Sequence, residues 1–211
     1  MIEPGDRYHA LGLRGNPFAI ETQPGVPAQL WLDRGFSHAP AVGAGLLMQL
    51  LGEEGAGKTS HMLHWHAQTG GPYTSYPSDV ARWRCPPLAP IAYWDEADRI
   101  PRLLLRLALT LAARQRATVV TGTHRDLGVP ARQAGLAVQT VRLPPLTAVE
   151  VQTWAAKRVA AARLGMDVVP CLSLGDAEAA AIVAQAGGSW RRAGVLLHIW
   201  VAQAARTRTT G

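Results

Sequence analysis

One stretch of the chain has the residue types and the spacing that bind a phosphate group. Residues 52–59 read GEEGAGKT and fit the pattern G-x4-G-K-[ST]. Glycines let the backbone bend around an anion with its N–H groups pointing inward. We expect Lys58 to reach the β- and γ-phosphates of a nucleotide and the Thr59 hydroxyl to bind Mg²⁺. The residues expected to contact the nucleotide are Gly52, Glu53, Glu54, Gly55, Ala56, Gly57, Lys58, Thr59 and Ser60.

The flanking sequence predicts the elements that must position this loop. Leu46 to Leu51 is a short apolar run closed by glycine, which predicts a buried strand. Ser60 to Gln68 predicts a helix whose positive N-terminal end would face the same phosphates. A glycine-rich turn that precedes a lysine by chance is the alternative. The strand–loop–helix order favours a phosphate-binding loop instead.

A second apolar strand ends in acidic residues. The run from Ile91 to Trp94 is followed by Asp95 and Glu96. An aspartate at this position would hold Mg²⁺, usually through water, and the neighbouring glutamate can polarise an attacking water as a general base. Strands that end in an acidic residue are common, so this strand alone does not indicate a metal site. It does so because it follows a phosphate-binding loop in the same small domain. Asp98 is expected to cap the next helix rather than bind metal.

A third strand ends in polar residues. Thr118 to Gly122 is apolar and rich in β-branched residues, and the polar run from Thr123 to Asp126 follows it. If this strand lies beside the acidic one, its end points at the γ-phosphate, because ligands lie at the carboxyl ends of parallel strands. A plain turn is the alternative.

The whole chain fits an α/β fold of the P-loop class, in which helices flank a parallel sheet and a small helical lid follows. Pro144-Pro145 marks the boundary, so residues 1–145 form the predicted nucleotide-binding domain and residues 146–211 the lid. Thr147 and Glu150 form a capping-box pattern at the start of the lid. The other predicted elements are strands at 73–76 and 137–143, a helical turn at 80–83, and helices at 28–36, 102–115, 127–135, 147–164, 176–186 and 190–205.

The composition is that of a globular protein with an excess of positive charge. The 211 residues are 48% hydrophobic and carry a net charge of +6, which indicates an anionic partner. A GC-rich coding bias, which enriches Arg, Ala, Gly and Pro together, would give the same charge. An anionic partner and a coding bias therefore both remain open as explanations of the positive charge. Cys85 and Cys171 are far apart and fit a reducing cytoplasm. No apolar run approaches the ~18 residues of a membrane span, so we expect a cytoplasmic protein that does not cross the membrane.

The order of these motifs resembles that of AAA+ ATPases. Gly122 to Leu127 resembles the sensor-1 strand end of that family, with His124 where Asn or Thr usually stands. Gly187 to Ala193 resembles the sensor-2 turn of the lid, with Arg191 at the position of the family's arginine. Residues 11–19 are similar to the opening of bacterial transposon target-selection ATPases and of related secretion ATPases, and archaeal origin-recognition ATPases share the general layout.

The resemblance implies ATP hydrolysis, with Mg²⁺, at the interfaces of a homo-oligomer. It implies that ATP binds between the core and the lid and that His124 and Arg191 sense the γ-phosphate. A neighbouring subunit would donate an arginine to the γ-phosphate. Arg132 lies roughly where that arginine would fall, and Arg125 is the rival. The candidate catalytic residues are therefore Lys58, Glu96, His124, Arg132 and Arg191.

Two biological roles are compatible with such an ATPase. The first is a protein that assembles on duplex DNA when ATP is bound and recruits a recombinase-, helicase- or transposase-type partner. The second is a nucleotide-switched regulatory or assembly ATPase whose partners are proteins and for which DNA is irrelevant. A small-molecule kinase is less favoured, because the sequence lacks a clear lid motif for a second substrate. In the first role, DNA contacts are expected from basic loops of the ATPase core.

Overall fold

The protein divides into two compact units. The computed structural model describes residues 6–19, 31–36, 38–165, 167–168 and 172–209. Residues 33–144 form one unit, called here the sheet unit. Residues 1–32 together with 145–211 form the other, called here the helical unit.

Within the described residues, the sheet unit is built on five parallel strands. Their order across the sheet is β2-β3-β4-β1-β5. The polar-ended strand β4 therefore lies between the loop strand β1 and the acidic strand β3, and it is hydrogen-bonded to both. The carboxyl ends of these three strands meet at one edge of the sheet, where ligands bind in such folds. The strands are β1 (Leu46–Leu51), β2 (Tyr73–Ser75), β3 (Ile91–Asp95), β4 (Thr118–Thr123) and β5 (Ala137–Arg142).

Helices cover both faces of this sheet. Strands β3 and β4 are buried along their whole length, as expected for parallel strands with helices on both faces. Trp65 of α2 joins the core on one face, and Leu109 of α3 joins the core on the other. The predicted fold class, a parallel sheet flanked by helices and followed by a helical region, is confirmed. The helices of the sheet unit are α2 (Lys58–Thr69), α3 (Arg102–Arg114) and α4 (Gly128–Ala134).

The helical unit has its own core. One stripe of α7 is buried at every fourth residue, namely at Ala193, Leu197, Val201 and Ala205. The helix continues to Thr209, one turn beyond the predicted end at residue 205. The helices of this unit are α1 (Asp6–His9), α5 (Ala148–Ala161), α6 (Asp176–Ala186) and α7 (Trp190–Thr209). None of the helices in the described part of the chain is long and apolar enough to span a bilayer.

The N-terminal segment packs in the helical unit. Leu11 and Leu13 are buried in the core of that unit. Leu13 forms an antiparallel bridge with Arg163, and the Asn16 side-chain amide donates to His198 O over 2.9 Å. The sequence interpretation placed this segment in the first domain, at residues 1–145, whereas its described contacts lie with the helices that follow the sheet unit.

The capping box at the start of α5 is confirmed. Thr147 Oγ1 accepts a hydrogen bond from Glu150 N over 3.3 Å, and Glu150 Oε2 accepts one from Thr147 N over 2.9 Å. These bonds satisfy two donors that a helix N-terminus otherwise leaves free. Residues 80–83 form the single helical turn that the sequence predicts, of the 3₁₀ type.

The predicted helix at 28–36 is wrong over the part that the structure describes. Residues 28–30 lie outside the described residues, and residues 31–36 contain no helix. Asp33 Oδ1 accepts a hydrogen bond from Gly35 N over 2.8 Å, and Gly35 has a φ of 85°. A local side-chain bond of this kind offers the backbone an alternative to helical hydrogen bonding.

Candidate nucleotide-binding site

The loop between β1 and α2 has the geometry of an anion-binding turn. Gly55 and Gly57 have φ values of 80° and 96°, a region that residues with a Cβ rarely adopt. The helix α2 begins at Lys58, two residues before its predicted start, and no side chain caps it. Its first N–H groups are therefore not occupied by a side-chain cap, as an anion site at a helix N-terminus requires. Glu53 and Glu54 are exposed in the loop, and Ser60 lies in the first turn of α2.

Lys58 lies under this loop. Its Nζ donates to Gly52 O over 2.7 Å and to Glu53 O over 3.0 Å, and the residue is only 5% exposed. Burial lowers the pKa of Lys58, and the nearby charges of Glu96 and Asp95 partly oppose that shift. The ammonium group is thus held at the loop by two carbonyl oxygens, which are weaker partners than phosphate oxygens.

Thr59 and Asp95 meet at the point where the first turn of α2 approaches the end of β3. Thr59 Oγ1 donates to Asp95 Oδ2 over 2.7 Å, although the two residues are far apart in sequence. The same carboxylate oxygen accepts a hydrogen bond from the Tyr73 hydroxyl over 3.0 Å. Asp95 is 4% exposed. The predicted metal ligands are therefore brought together.

The donor set fits magnesium. Mg²⁺ prefers oxygen ligands in octahedral geometry, in which adjacent oxygens lie about 2.9 Å apart. The Thr59 and Asp95 oxygens are 2.7 Å apart. No group of three or more His, Cys, Asp or Glu side chains that could hold a metal occurs among the described residues. A single carboxylate and a hydroxyl suit an ion that keeps several waters and also binds phosphate oxygens.

Gly122 allows α2 and β3 to approach this closely. It lies opposite Asp95 in the register of β3 and β4. A Cβ at this position would lie 2.6 Å from Asp95 Oδ1 and 2.9 Å from Met62 Sδ. The sequence interpretation treated Gly122 only as part of a strand end. A glycine inside an apolar strand often marks such a close approach, and this was the available signal.

Glu96 follows Asp95 in a left-handed backbone conformation. Its φ and ψ are 58° and 38°, a strained choice for a residue with a side chain, and one that clusters at functional sites. Its Oε2 lies 3.2 Å from Arg99 Nη2 and 3.5 Å from His124 Nε2. The turn thus directs the carboxylate toward the end of β4.

His124 completes the cluster from the neighbouring strand. Its Nε2 lies 3.5 Å from Lys58 Nζ and 3.5 Å from Glu96 Oε2. The side chain is 30% exposed, so it lies beside Lys58 of the loop and is also in contact with solvent. Five of the predicted site residues therefore share one small region at the carboxyl edge of the sheet: Lys58, Thr59, Asp95, Glu96 and His124.

Asp98 does not cap α3, contrary to the prediction from sequence. Helix α3 begins after Pro101 and has no side-chain cap. Asp98 Oδ1 instead accepts hydrogen bonds from Thr123 Oγ1 over 3.1 Å and from His124 N over 3.3 Å. The carboxylate thus ties the turn after β3 to the end of β4, where it fixes the backbone of His124. This contact joins two separate strands, so no local sequence pattern indicated it.

A buried glutamine positions the segment that follows β4. Gln49 of β1 is fully buried, and its Nε2 donates to Asp126 Oδ1 over 2.6 Å while its Oε1 accepts from Leu127 N over 2.9 Å. This bond from Gln49, with another from Gly128 N, lowers the pKa of the Asp126 carboxyl. A polar residue inside the apolar strand β1 was the available sequence signal, and the sequence interpretation did not use it.

No described contact joins Arg125 or Arg132 to the five clustered residues. Arg125 and Arg132 are exposed, and neither makes a described contact with the phosphate loop. The Arg132 guanidinium lies back along α4, where a Cβ on Gly128 would be 3.2 Å from both of its terminal nitrogens. Arg191 is the second residue of α7 and belongs to the helical unit. The roles of these three arginines stay predictions.

The fold of the chain is similar to that of a solved structure. No family model matches the chain, and no curated protein matches it. A solved structure of a RuvB variant from Thermotoga maritima is 23% identical, with a TM-score of 0.48. The match covers 71% of this chain and 52% of the RuvB chain, so this chain spans about half the length of that protein.

Proposed function

We propose that the chain binds ATP with Mg²⁺ at the loop between β1 and α2 and hydrolyses it as an ATPase of the AAA+ type. The hydrogen bond of 2.7 Å between Thr59 Oγ1 and Asp95 Oδ2 carries the proposal. It joins the two oxygen donors that a P-loop protein uses around its metal. The resemblance of residues 122–127 and 187–193 to sensor motifs supports the assignment to the AAA+ type.

The binding step follows from the first turn of α2. Lys58 now donates to two loop carbonyls, and phosphate oxygens would replace these as acceptors. Loop N–H groups and the N-terminus of α2 would bind the remaining phosphate oxygens. Thr59 and Asp95 would hold the magnesium ion, which supplies positive charge at the phosphate oxygens.

Glu96 is the proposed general base. Its carboxylate would accept a proton from the attacking water while the water oxygen bonds to the γ-phosphorus and the bond to the β–γ bridging oxygen breaks. In the structure the carboxylate faces Arg99 and His124. It would therefore exchange part of these contacts for the water when substrate binds.

A homo-oligomer would complete the site. We propose that His124 and Arg191 respond to the γ-phosphate and that a neighbouring subunit supplies an arginine, either Arg132 or Arg125. Both of the latter residues are exposed, as such a role requires. A guanidinium supplied in trans neutralises charge on the transferred phosphoryl group and can raise the rate by about 10³–10⁵.

Two substitutions test the chemistry. Lys58→Ala should abolish the heat of ATP–Mg²⁺ binding in calorimetry, whereas Lys157→Ala, which removes an exposed lysine of the helical unit, should bind as the wild type does. Glu96→Gln should keep ATP binding and lower turnover by about 10²–10⁴. Absence of binding heat in the wild type would remove the whole proposal. Normal turnover by Glu96→Gln would remove only the assignment of the base.

For the biological role, we propose that the ATP-bound protein assembles in the cytoplasm and acts on duplex DNA or on a DNA-processing partner. The net charge of +6 supports an anionic partner. Light scattering after size exclusion, with and without ATP and duplex DNA, should show an ATP-dependent assembly that grows on DNA. Its DNA affinity should fall steeply with added salt. Lys58→Ala should remain in the unassembled form.

One feature favours the alternative role, in which the partners are proteins and DNA is irrelevant. A cleft of about 330 Å³ opens on the sheet unit beside α3 and α4. Apolar residues and arginines, of which arginine is enriched at protein contact surfaces, line it together with Asp98 and Asp126. ATP-dependent assembly that nuclease treatment leaves unchanged would support this role. Its lining includes Ile100, Leu105, Leu127, Arg102, Arg106 and Arg125.

A further inference from the structure

The segment that joins β2 to β3, residues 76–90, is held firmly at both ends. Tyr76 is fully buried, and its N–H donates to Asp95 O over 3.0 Å. At the other end, Trp94 Nε1 donates to Pro87 O over 3.1 Å. Both anchors are on β3, which is itself buried along its length. The sheet thus provides a rigid support for the middle of this segment, which is exposed to solvent.

The middle of the segment is an ordered turn that presents apolar side chains to solvent. Asp79 Oδ1 accepts a hydrogen bond from Ala81 N over 2.8 Å and so caps the 3₁₀ turn at residues 80–83. No residue of this turn is buried. Val80 is 85% exposed and Trp83 is 64% exposed. Folding gains little from an indole left in water, so the position of Trp83 is not explained by packing of the described residues.

Two arginines flank this tryptophan. Arg82 and Arg84 are exposed, and within the described part of the chain their side chains have no hydrogen-bond or ion-pair partner. The nearest acid in the sequence is Asp79, whose carboxylate already caps the turn. The tip therefore presents an exposed indole and two exposed guanidinium groups on three consecutive residues, with no acidic side chain among residues 80–85.

We propose that this tip binds single-stranded nucleic acid, with Trp83 stacking on a base and Arg82 and Arg84 contacting the adjacent phosphates. Base–aromatic stacking combined with cationic contacts to the backbone is how proteins hold unpaired strands. A flat ring on a projecting turn reaches the face of a base only where that base is unstacked, which favours a single strand over an intact duplex. A strand also supplies phosphates next to every base, and the two arginines are the immediate sequence neighbours of Trp83.

The tip is connected to the candidate active site through Arg99. Arg99 Nη1 donates to Tyr76 O over 3.3 Å, at the start of the segment, while Nη2 lies 3.2 Å from Glu96 Oε2. A strand bound at the tip would therefore influence the position of Arg99, which pairs with the proposed general base Glu96. This inference goes beyond the proposed role on duplex DNA by naming an unpaired strand as a further ligand and the residues that bind it.

Fluorescence anisotropy with labelled oligothymidine, with and without a non-hydrolysable ATP analogue, tests the stacking contact. Trp83→Ala should weaken binding by about 5- to 150-fold, and Trp83→Phe should retain most of the affinity because it keeps an aromatic face. Leu103→Ala is the matched control, since Leu103 is another exposed apolar residue of the sheet unit, 82% exposed on α3. An unchanged affinity for Trp83→Ala would overturn the inference.

The salt dependence tests the phosphate contacts. Removing both Arg82 and Arg84 should reduce the slope of log affinity against log salt by about 1.4 for a single strand. The double replacement of Arg102 and Arg106 by alanine, which removes two exposed arginines from α3, should leave the slope unchanged. An equal loss from both double variants would overturn the assignment of these two residues. An equal loss of unpaired-strand and duplex affinity in Trp83→Ala would overturn the preference for an unpaired strand.

Calorimetry of ATP binding on the same proteins separates this inference from the proposed function. Trp83→Ala should bind ATP as the wild type does, because no described hydrogen bond or ring contact joins the exposed Trp83 to Lys58, Thr59 or Asp95. If the wild type binds ATP but no oligothymidine, the inference fails while the ATPase proposal stands. If the wild type binds no ATP, the ATPase proposal fails, and the oligothymidine titration without nucleotide still decides the inference.

Discussion

Tyr73 is the residue outside the predicted set that bears most directly on the proposed magnesium site. Its hydroxyl donates to Asp95 Oδ2 over 3.0 Å. Burial, with the charge of Asp95 beside it, raises the pKa of Tyr73, so the hydroxyl remains a donor at neutral pH. A hydrogen bond to a ligating carboxylate orients it and commonly accounts for about 10–100-fold in metal affinity.

We expect Tyr73→Phe to raise the Mg²⁺ concentration for half-saturation of the ATP complex by about 10-fold. The measurement is a Mg²⁺ titration in which the fluorescence of a bound ATP analogue is monitored. The variants carry Glu96→Gln as well, so that turnover does not interfere. Tyr93→Phe is the control, because the Tyr93 hydroxyl pairs with Thr69 Oγ1 over 2.6 Å rather than with Asp95. The same Mg²⁺ requirement in both variants would show that Tyr73 does not position Asp95.

Gly122→Ala tests how closely β4 must approach the metal ligands. The added methyl would meet Asp95 Oδ1 at 2.6 Å and Met62 Sδ at 2.9 Å. We expect a loss of about 1–3 kcal/mol in unfolding free energy from this overpacking, together with a weaker response of ATP binding to Mg²⁺. Gly15→Ala should change neither property, since a Cβ there has nothing within 4 Å. Wild-type Mg²⁺ dependence in Gly122→Ala would show that the proposed metal ligands do not depend on this close approach.

Among the elements, strand β4 depends on the turn that follows β3. Asp98 accepts from Thr123 Oγ1 and from His124 N, so Asp98→Ala should free the end of β4. We expect faster amide hydrogen exchange at His124 and slower ATP turnover, with ATP affinity preserved because Lys58 and the loop are untouched. Asp98→Asn keeps one oxygen acceptor, so its amide exchange at His124 and its ATP turnover should both be close to those of the wild type. If Asp98→Ala turns over ATP at the wild-type rate, the position of His124 does not affect catalysis.

Most of the elements in the sheet unit could be predicted from local sequence. The apolar run from Leu46 to Leu51 and the glycines after it specify strand and loop with no reference to the rest of the chain. Asp98 and Gly122 each contact a residue of a neighbouring strand. No local sequence pattern predicts the order of strands that makes β3 and β4 neighbours. The turn at Asp33 was mistaken for helix because its side-chain bond to Gly35 N competes with helical hydrogen bonding.

For the whole molecule, ATP binding should appear as increased thermal stability. A ligand that binds only the folded state stabilises it by about 2.7 kcal/mol at 100 times its dissociation constant. ATP with Mg²⁺ should therefore raise the melting temperature of the wild type, and EDTA should remove most of the rise. Lys58→Ala should melt at the same temperature with and without ATP. A comparable rise in that variant would mean that ATP binds elsewhere.

The burial of Lys58 has a consequence for labelling chemistry. The chain has only two lysines, Lys58 and Lys157, and the second is exposed. Because burial depresses the pKa of Lys58, a larger share of its amine is in the nucleophilic form, while access to it depends on what fills the loop. Acylation followed by peptide mass spectrometry would thus report occupancy of the loop in the unaltered protein, with Lys157 as the internal standard.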